Sequence, residues 1–317
     1  MRISIVENGK DVTVFGERSA GLRMFVALVA FLSTRDTKIP PILLIDEAEN
    51  HLHIDAQADL VNMFISQEQA ARVIYSTHSP ACLPPDLGTG IRSVIPSAEN
   101  LQVSEIRNSF WSEGAGYSPL MIAMGAAAAA FTPARCVVLA EGATEMILLP
   151  SLLRSATGIE VLPYQVAPGL SEVPRDFYTS LDLEGAKVAY LLDGDPGGKS
   201  LKIALMKHGV PEERIVMISV PGVENLLFAA AYSDSVSALL AECNGGVEVP
   251  TLPRLGAPAK SSWAAQLRKW ADDDNLAMPS KVAVANRIIE DGKAVAAAGF
   301  VETLAELHEQ LLKTLGV

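Results

Sequence analysis

Two sets of acidic residues stand where apolar runs end, and each has the residue types and spacing for phosphate chemistry. In the first, the apolar run 42–45 leads into Asp46 and Glu47, and a second run over 72–76 leads into Thr77 and His78. A buried strand ending in two adjacent carboxylates sets one (Asp46) to hold Mg²⁺ and the next (Glu47) to polarise an attacking water. His78 is placed to contact a terminal phosphate. Upstream, Glu17 to Gly21 opens a helix with Ser19 as N-cap, and its free backbone N–H groups suit an anion.

In the second set, the run 137–140 ends at Glu141, with Glu145 one helical turn later, and the run 187–192 ends at Asp193-Gly194-Asp195. Parallel strands would bring both ends to one sheet edge. Asp193 and Asp195, two apart, can reach one ion from a tight loop. Four converging carboxylates with no basic partner in the motif repel strongly, and a divalent cation resolves this. Oxygen-only ligands favour Mg²⁺ or Mn²⁺ over zinc. The plainer reading of each half is an acid-rich first helical turn and a solvated loop.

The elements that must position these groups follow from the pattern. A hairpin is expected over 2–6 and 11–15, a helix over 19–32, and a buried parallel strand over 42–45. A helix over 55–67 and a strand over 72–76 complete a βαβ-like unit. Short β segments follow near 91–95 and 101–106, and a domain boundary near 113–119. An alanine-rich helix (121–131) leads into strands at 136–140, 161–167, 187–192 and 214–219, alternating with helices at 144–156, 175–183 and 200–208. That alternation means a parallel, doubly wound sheet. From about 234 the chain reads as mostly helical. The expected domains are 1–115, 116–233 and 234–317, all within an α/β class.

The first set resembles the second half of an ABC-type, SMC-like ATPase. A signature helix spans Arg18 to Gly21, a Walker B strand ends in Asp46 and Glu47, a D-loop-like stretch covers Glu49 to His53, and His78 is the switch histidine. The resemblance implies nucleotide contacts from Ser19, Gly21, Asp46, Glu47 and His78, and a dimer in which one subunit's signature meets nucleotide held by the other. No Gly-x-x-x-x-Gly-Lys-Ser/Thr precedes the Walker B strand. ATP binding therefore requires a P-loop lobe from elsewhere: a separate Walker A-bearing polypeptide, a longer parent chain, or none if this half is vestigial. The run Gly194 to Ser200 only imitates a P-loop, because its first glycine position is Asp193, whose charge would repel phosphate.

The second set resembles the Toprim domain, with Glu141 as its glutamate and Asp193 and Asp195 as its DxD. Together with the preceding half it is similar to the OLD family of ATP-linked endonucleases. That resemblance implies two Mg²⁺ or Mn²⁺ ions, Glu145 and Glu224 among the ligands, an assisting lysine (Lys281), and DNA as substrate.

Composition sets outer bounds. With 49% hydrophobic and 20% charged residues the chain is a folded globular protein. A net charge of −12 argues against a protein that coats nucleic acid, without excluding a nuclease. Cys82, Cys136 and Cys243 form no CxxC or disulfide framework, which suggests a reducing cytoplasm. The apolar stretch 121–140 is broken by Thr132, Pro133 and Arg135, so no membrane span is expected. His51 and His53 read as surface or interface residues, Arg18 and Arg23 as phosphate readers or helix surface, Trp263 and Trp270 as tail core, and Asp272 to Asp274 as a solvated turn. The expected function is metal-dependent cleavage of DNA, coupled to ATP in the intact system. The competing expectation is a non-catalytic regulatory or scaffold subunit of a DNA-sensing ATPase complex.

Overall fold

The computed structural model describes residues 4–7, 10–14, 26–27, 30, 40–50, 52, 54–79, 82–84, 86, 90–97, 102–107, 136–171, 187–244, 250–256 and 261–317. The chain divides into two compact units, Met1–Pro84 with Phe131–Pro133, and Pro85–Ala130 with Ala134–Val317. Val26, Ala27 and Ala30 are helical. The remainder of the 19–32 helix lies outside the described residues, as do Arg18, Ser19, Gly21, Arg23, His51, His53, the helices expected at 121–131 and 175–183, and the boundary expected at 113–119.

In the first unit, β1 (Ser4–Glu7) and β2 (Lys10–Val14) pair antiparallel. Strand β3 (Ile42–Ile45), helix α1 (Ile54–Ser66) and strand β4 (Arg72–Tyr75) form the expected βαβ unit, with β3 and β4 parallel and Ile42 opposite Arg72. Leu60 and Phe64 of α1 join Ala48 in a small core, against which Ile45, Val73 and Tyr75 pack. The expectation of a fully buried strand is corrected. Ile42 is 62% exposed, Leu44 76% and Ile74 59%. Among the described residues α1 covers one face of this strand pair, whereas parallel strands are ordinarily covered on both. An apolar run states that a strand can be buried, not that a covering layer is present.

The second unit holds a short antiparallel pair, β5 (Ser93–Pro96) and β6 (Ser104–Arg107). Its main sheet has four parallel strands in the order β10-β9-β7-β8: β7 (Cys136–Ala140), β8 (Gln165–Ala167), β9 (Lys187–Leu192) and β10 (Ile215–Met217). Alternate residues feed two cores. Val138, Ala140, Ala189 and Leu191 face α2 (Ala143–Thr157), α6 (Lys281–Glu290) and α7 (Val301–Leu315). Val137, Leu139, Tyr190 and Leu192 face Leu205 of α3 (Pro196–Lys207). With helices on both faces, the sheet is buried except at Lys187 and Met217, as near-continuous apolar strands require. Helices α4 (Ala229–Cys243) and α5 (Trp263–Asp273) complete the unit. The carboxyl-terminal helices thus supply core: Leu304, Leu311 and Leu315 are buried at helical spacing, and Trp263 is buried as expected.

Several element boundaries differ from expectation, three of them around the main sheet. The strand expected over 161–167 is ordered as strand only from Gln165, because Pro163 has no N–H to donate. The helix expected from 200 begins at Pro196. Asp195 caps it by accepting from the N–H of Gly198 at 2.8 Å, and proline suits the first helical position. The strand expected over 214–219 is Ile215–Met217, preceded by a 3₁₀ turn at Glu212–Arg214. Among the described residues no helix is long and apolar enough to cross a membrane.

Candidate functional site

The chain leaves β7 through α2 to β8 on one side, while β9 pairs on the other side of β7. The carboxyl ends of β7 and β9 therefore flank a topological switch point, where ligands bind in open parallel sheets. Glu141 follows β7 and Asp193 follows β9. Oε1 of Glu141 accepts from the backbone N–H of Asp193 at 2.9 Å. Glu145, at the start of α2, turns back so that Oε2 accepts from the N–H of Gly142 at 2.9 Å. Glu224 lies in the 3₁₀ turn Val223–Leu226 after β10, and its Oε1 accepts from the N–H of Ala264 at 3.3 Å. Glu145 and Glu224 are buried. Asp195 is committed to the α3 cap.

Glycines let these segments approach. A Cβ on Gly198 would lie 2.0 Å from the Asp193 carbonyl oxygen and 2.8 Å from Glu141 Oε1. A Cβ on Gly194 would lie 2.6 Å from the carbonyl oxygens of Ile218 and Val220, and one on Gly222 would lie 2.7 Å from Glu224 Oε2. Sequence reading passed over Gly194 and Gly222. The available signal was a glycine within two residues of a candidate ligand, beside a strand end.

The acids perturb one another. Burial pushes the carboxyl of Asp193 well above the ordinary range, and the charges of Glu145, Glu141 and Glu224 push it further, opposed by Lys281. Burial likewise raises Glu145, with Glu224 adding to the shift and Lys281 opposing it. Glu141 is raised by burial and by Asp195. Lys281, the exposed first residue of α6, therefore acts on three acids, placed there by the Ser280 cap (Ser280 Oγ accepts from Ala283 N–H at 3.1 Å). Oδ1 of Asp193 is buried without a hydrogen-bond partner.

This donor set fits a hard divalent cation: every candidate ligand is oxygen, one buried carboxylate oxygen is orphaned, and one cation faces several acids. Among the described residues no three side chains converge on a single coordination point. Backbone N–H groups hold the carboxylates of Glu141, Glu145 and Glu224 in separate positions, so ligation requires side-chain rotation.

The first unit carries the second edge. Ser76, after β4, donates from Oγ to Oδ1 of Asp46 at 2.5 Å and accepts from the N–H of Glu47 at 2.8 Å. Asn50 Nδ2 donates to Glu47 Oε2 at 2.8 Å, and the His78 N–H donates to Glu49 Oε1 at 2.5 Å. Asp46, Glu47 and His78 thus share one strand edge, cross-linked by Ser76 and Glu49. Ser76 went unremarked in the sequence, although a hydroxyl opposite a strand-end acid is the expected partner. Glu47 has φ +48°, a left-handed conformation unusual for glutamate. The imitation P-loop is no phosphate cradle, because the Gly198 N–H is taken by Asp195.

Residues 4–83 match the family described as "AAA domain, putative AbiEii toxin, Type IV TA system". The first unit is accordingly an ATPase-like domain, and the matched residues include Asp46, Glu47 and His78. Glu141, Glu145, Asp193, Asp195, Glu224 and Lys281 lie beyond the matched span.

Proposed function

We propose that the second unit is a Toprim-like centre for metal-dependent hydrolysis of DNA phosphodiester bonds, of the OLD type, coupled to nucleotide binding by the ATPase-like first unit. One observation carries the reading: Glu141 and Asp193 meet at the switch point of a parallel sheet, with buried Glu145 and Glu224 beside them. Uncompensated, these acids oppose folding, since buried charges persist when paired or bound to metal. Glu141, Glu145, Asp193, Asp195 and Glu224 would hold Mg²⁺ or Mn²⁺. Such ions supply an activated water and charge stabilisation at the leaving oxygen. Lys281 offsets part of the negative charge of three of these acids and would meet the substrate's phosphate. Asp46 and Glu47 would serve nucleotide in an assembly that includes a P-loop, with a homodimer as the expected form.

Supercoiled plasmid incubated with Mg²⁺ or Mn²⁺, beside Asp193→Ala, tests this. Cleavage lost in the variant supports the reading. Absence of cleavage by well-folded protein, with and without a P-loop-bearing polypeptide, overturns it.

A second reading, a non-catalytic regulatory or scaffold subunit of a DNA-sensing ATPase complex, is favoured by the exposed β3–β4 face, which suits a covering partner. The family description names a toxin of a type IV system. For this chain it supports no more than the ATPase-like first unit.

A further inference from the structure

Helix α3 departs directly from the acidic cluster and has an outer face of different character. Its twelve residues include Lys199, Lys202 and Lys207 and no acid, in a chain of net charge −12. At 100° per residue, Lys199, Ile203, Met206 and Lys207 fall within one arc of about 100°. Leu205 and Gly198 are buried on the opposite side. Ile203 is 69% exposed and Met206 43%. Lys202, at the margin of the stripe, pairs with Glu212 at 2.7 Å, while Lys199 and Lys207 have no acidic partner among the described residues.

We infer that this outer face of α3 is the track for a DNA strand whose phosphodiester is held at the acidic cluster. The inference rests on the function proposed above and identifies where that substrate's backbone lies. Three observations choose a polyanion as occupant. The face carries lysines and no acid, in a chain whose net charge is −12. It begins one residue after Gly198, the glycine pressed against Glu141 and Asp193. Its apolar members lie between the lysines, where sugars and bases would rest. From Lys199 to Lys207 the helix rises about 12 Å, the length of roughly three to four nucleotides at about 3.4 Å each.

The test is fluorescence anisotropy of a labelled single-stranded oligonucleotide with the full chain in Ca²⁺, across a salt series. The doubly substituted Lys199→Gln/Lys207→Gln protein is expected to bind about tenfold more weakly. Its dependence of log affinity on log salt should flatten by about 1.4, because each lost phosphate contact removes about 0.7. Circular dichroism melts confirm that the variant folds. No binding by the parent chain, or equal affinity and slope in the variant, overturns the inference and returns the stripe to a protein partner. Mn²⁺ calorimetry of the parent chain and Asp193→Asn reads the acidic cluster separately. Metal binding without a lysine effect removes only the track, while a lysine effect without metal binding removes the proposed function and keeps the track.

Discussion

The backbone N–H of Asp193 donates to Oε1 of Glu141 at 2.9 Å, joining positions 52 residues apart at the ends of neighbouring strands. This bond ties the ends of β7 and β9 together and holds two candidate ligands beside each other, although their carboxylates must still rotate to share a cation. It also uses one Glu141 oxygen, and the orphaned Oδ1 of Asp193 is the atom with most to gain from a ligand.

Stability should depend on pH with a sign set by these acids. Asp193, Glu145 and Glu141 all titrate above their unfolded values. Their contribution is fully present below the ordinary carboxylate range, about pH 4, and is lost as pH rises through the raised folded values. Metal-free protein should therefore melt at progressively lower temperature from acid through neutral pH. Asp193→Asn should melt roughly 3–6 °C higher than the parent at pH 8, with little difference at pH 4. Mn²⁺ should raise the parent's melting temperature and leave the variant's unchanged. Scanning fluorimetry checks all three, and a flat parent profile contradicts the account.

Gly198→Ala should be far more damaging than Gly142→Ala. The first places a Cβ 2.0 Å from a backbone oxygen, while the second meets only Glu145 Oε2 at 3.4 Å. Overpacking of the first kind costs about 1–3 kcal/mol or more and separates Glu141 from Asp193. Urea melts should show the loss for position 198 alone, together with lost Mn²⁺ affinity by calorimetry.

Lys281→Met removes the cation that lowers Glu141, Glu145 and Asp193. The metal-free decline in stability should then extend to higher pH, and any plasmid cleavage should fall. Unchanged pH profiles would make Lys281 a surface residue.

Glu47→Gly tests stored strain. Glycine tolerates φ +48°, whereas a side chain there costs about 1 kcal/mol. The first unit should gain roughly that much in urea melts, partly offset by loss of the Asn50 contact. ATP turnover in an assembly supplying a P-loop should disappear. Ser76→Ala should instead destabilise the unit by about 1 kcal/mol, having removed both of its bridging hydrogen bonds.

The strand ends were legible because an apolar run followed by acids carries its own register: β3, β7 and β9 end where Asp46, Glu141 and Asp193 begin. Lys281 was legible only by resemblance. Its position depends on how α6 docks against α2, a tertiary fact with no local trace. The exposure of Ile42 and Leu44 was invisible for the same reason, since hydropathy does not report which faces of a strand are covered. The early start of α3 was hidden by Gly197 and Gly198, which read as loop but form the first turn once Asp195 caps it.

The packing of α7 across β7, β9 and α2 has a consequence in time. On the ribosome, Asp193 is made long before Leu304 and Leu311, which close the core behind its strand. At about 5–20 residues per second the interval is roughly 5–20 s. During that interval the sheet face that α7 will cover is only partly shielded by α2, so a nascent chain carries Glu141, Glu145, Asp193 and Asp195 before the core that holds them is closed. Slow codons in this stretch would lengthen the exposure, making the tempo of synthesis a determinant of how much working protein a cell obtains.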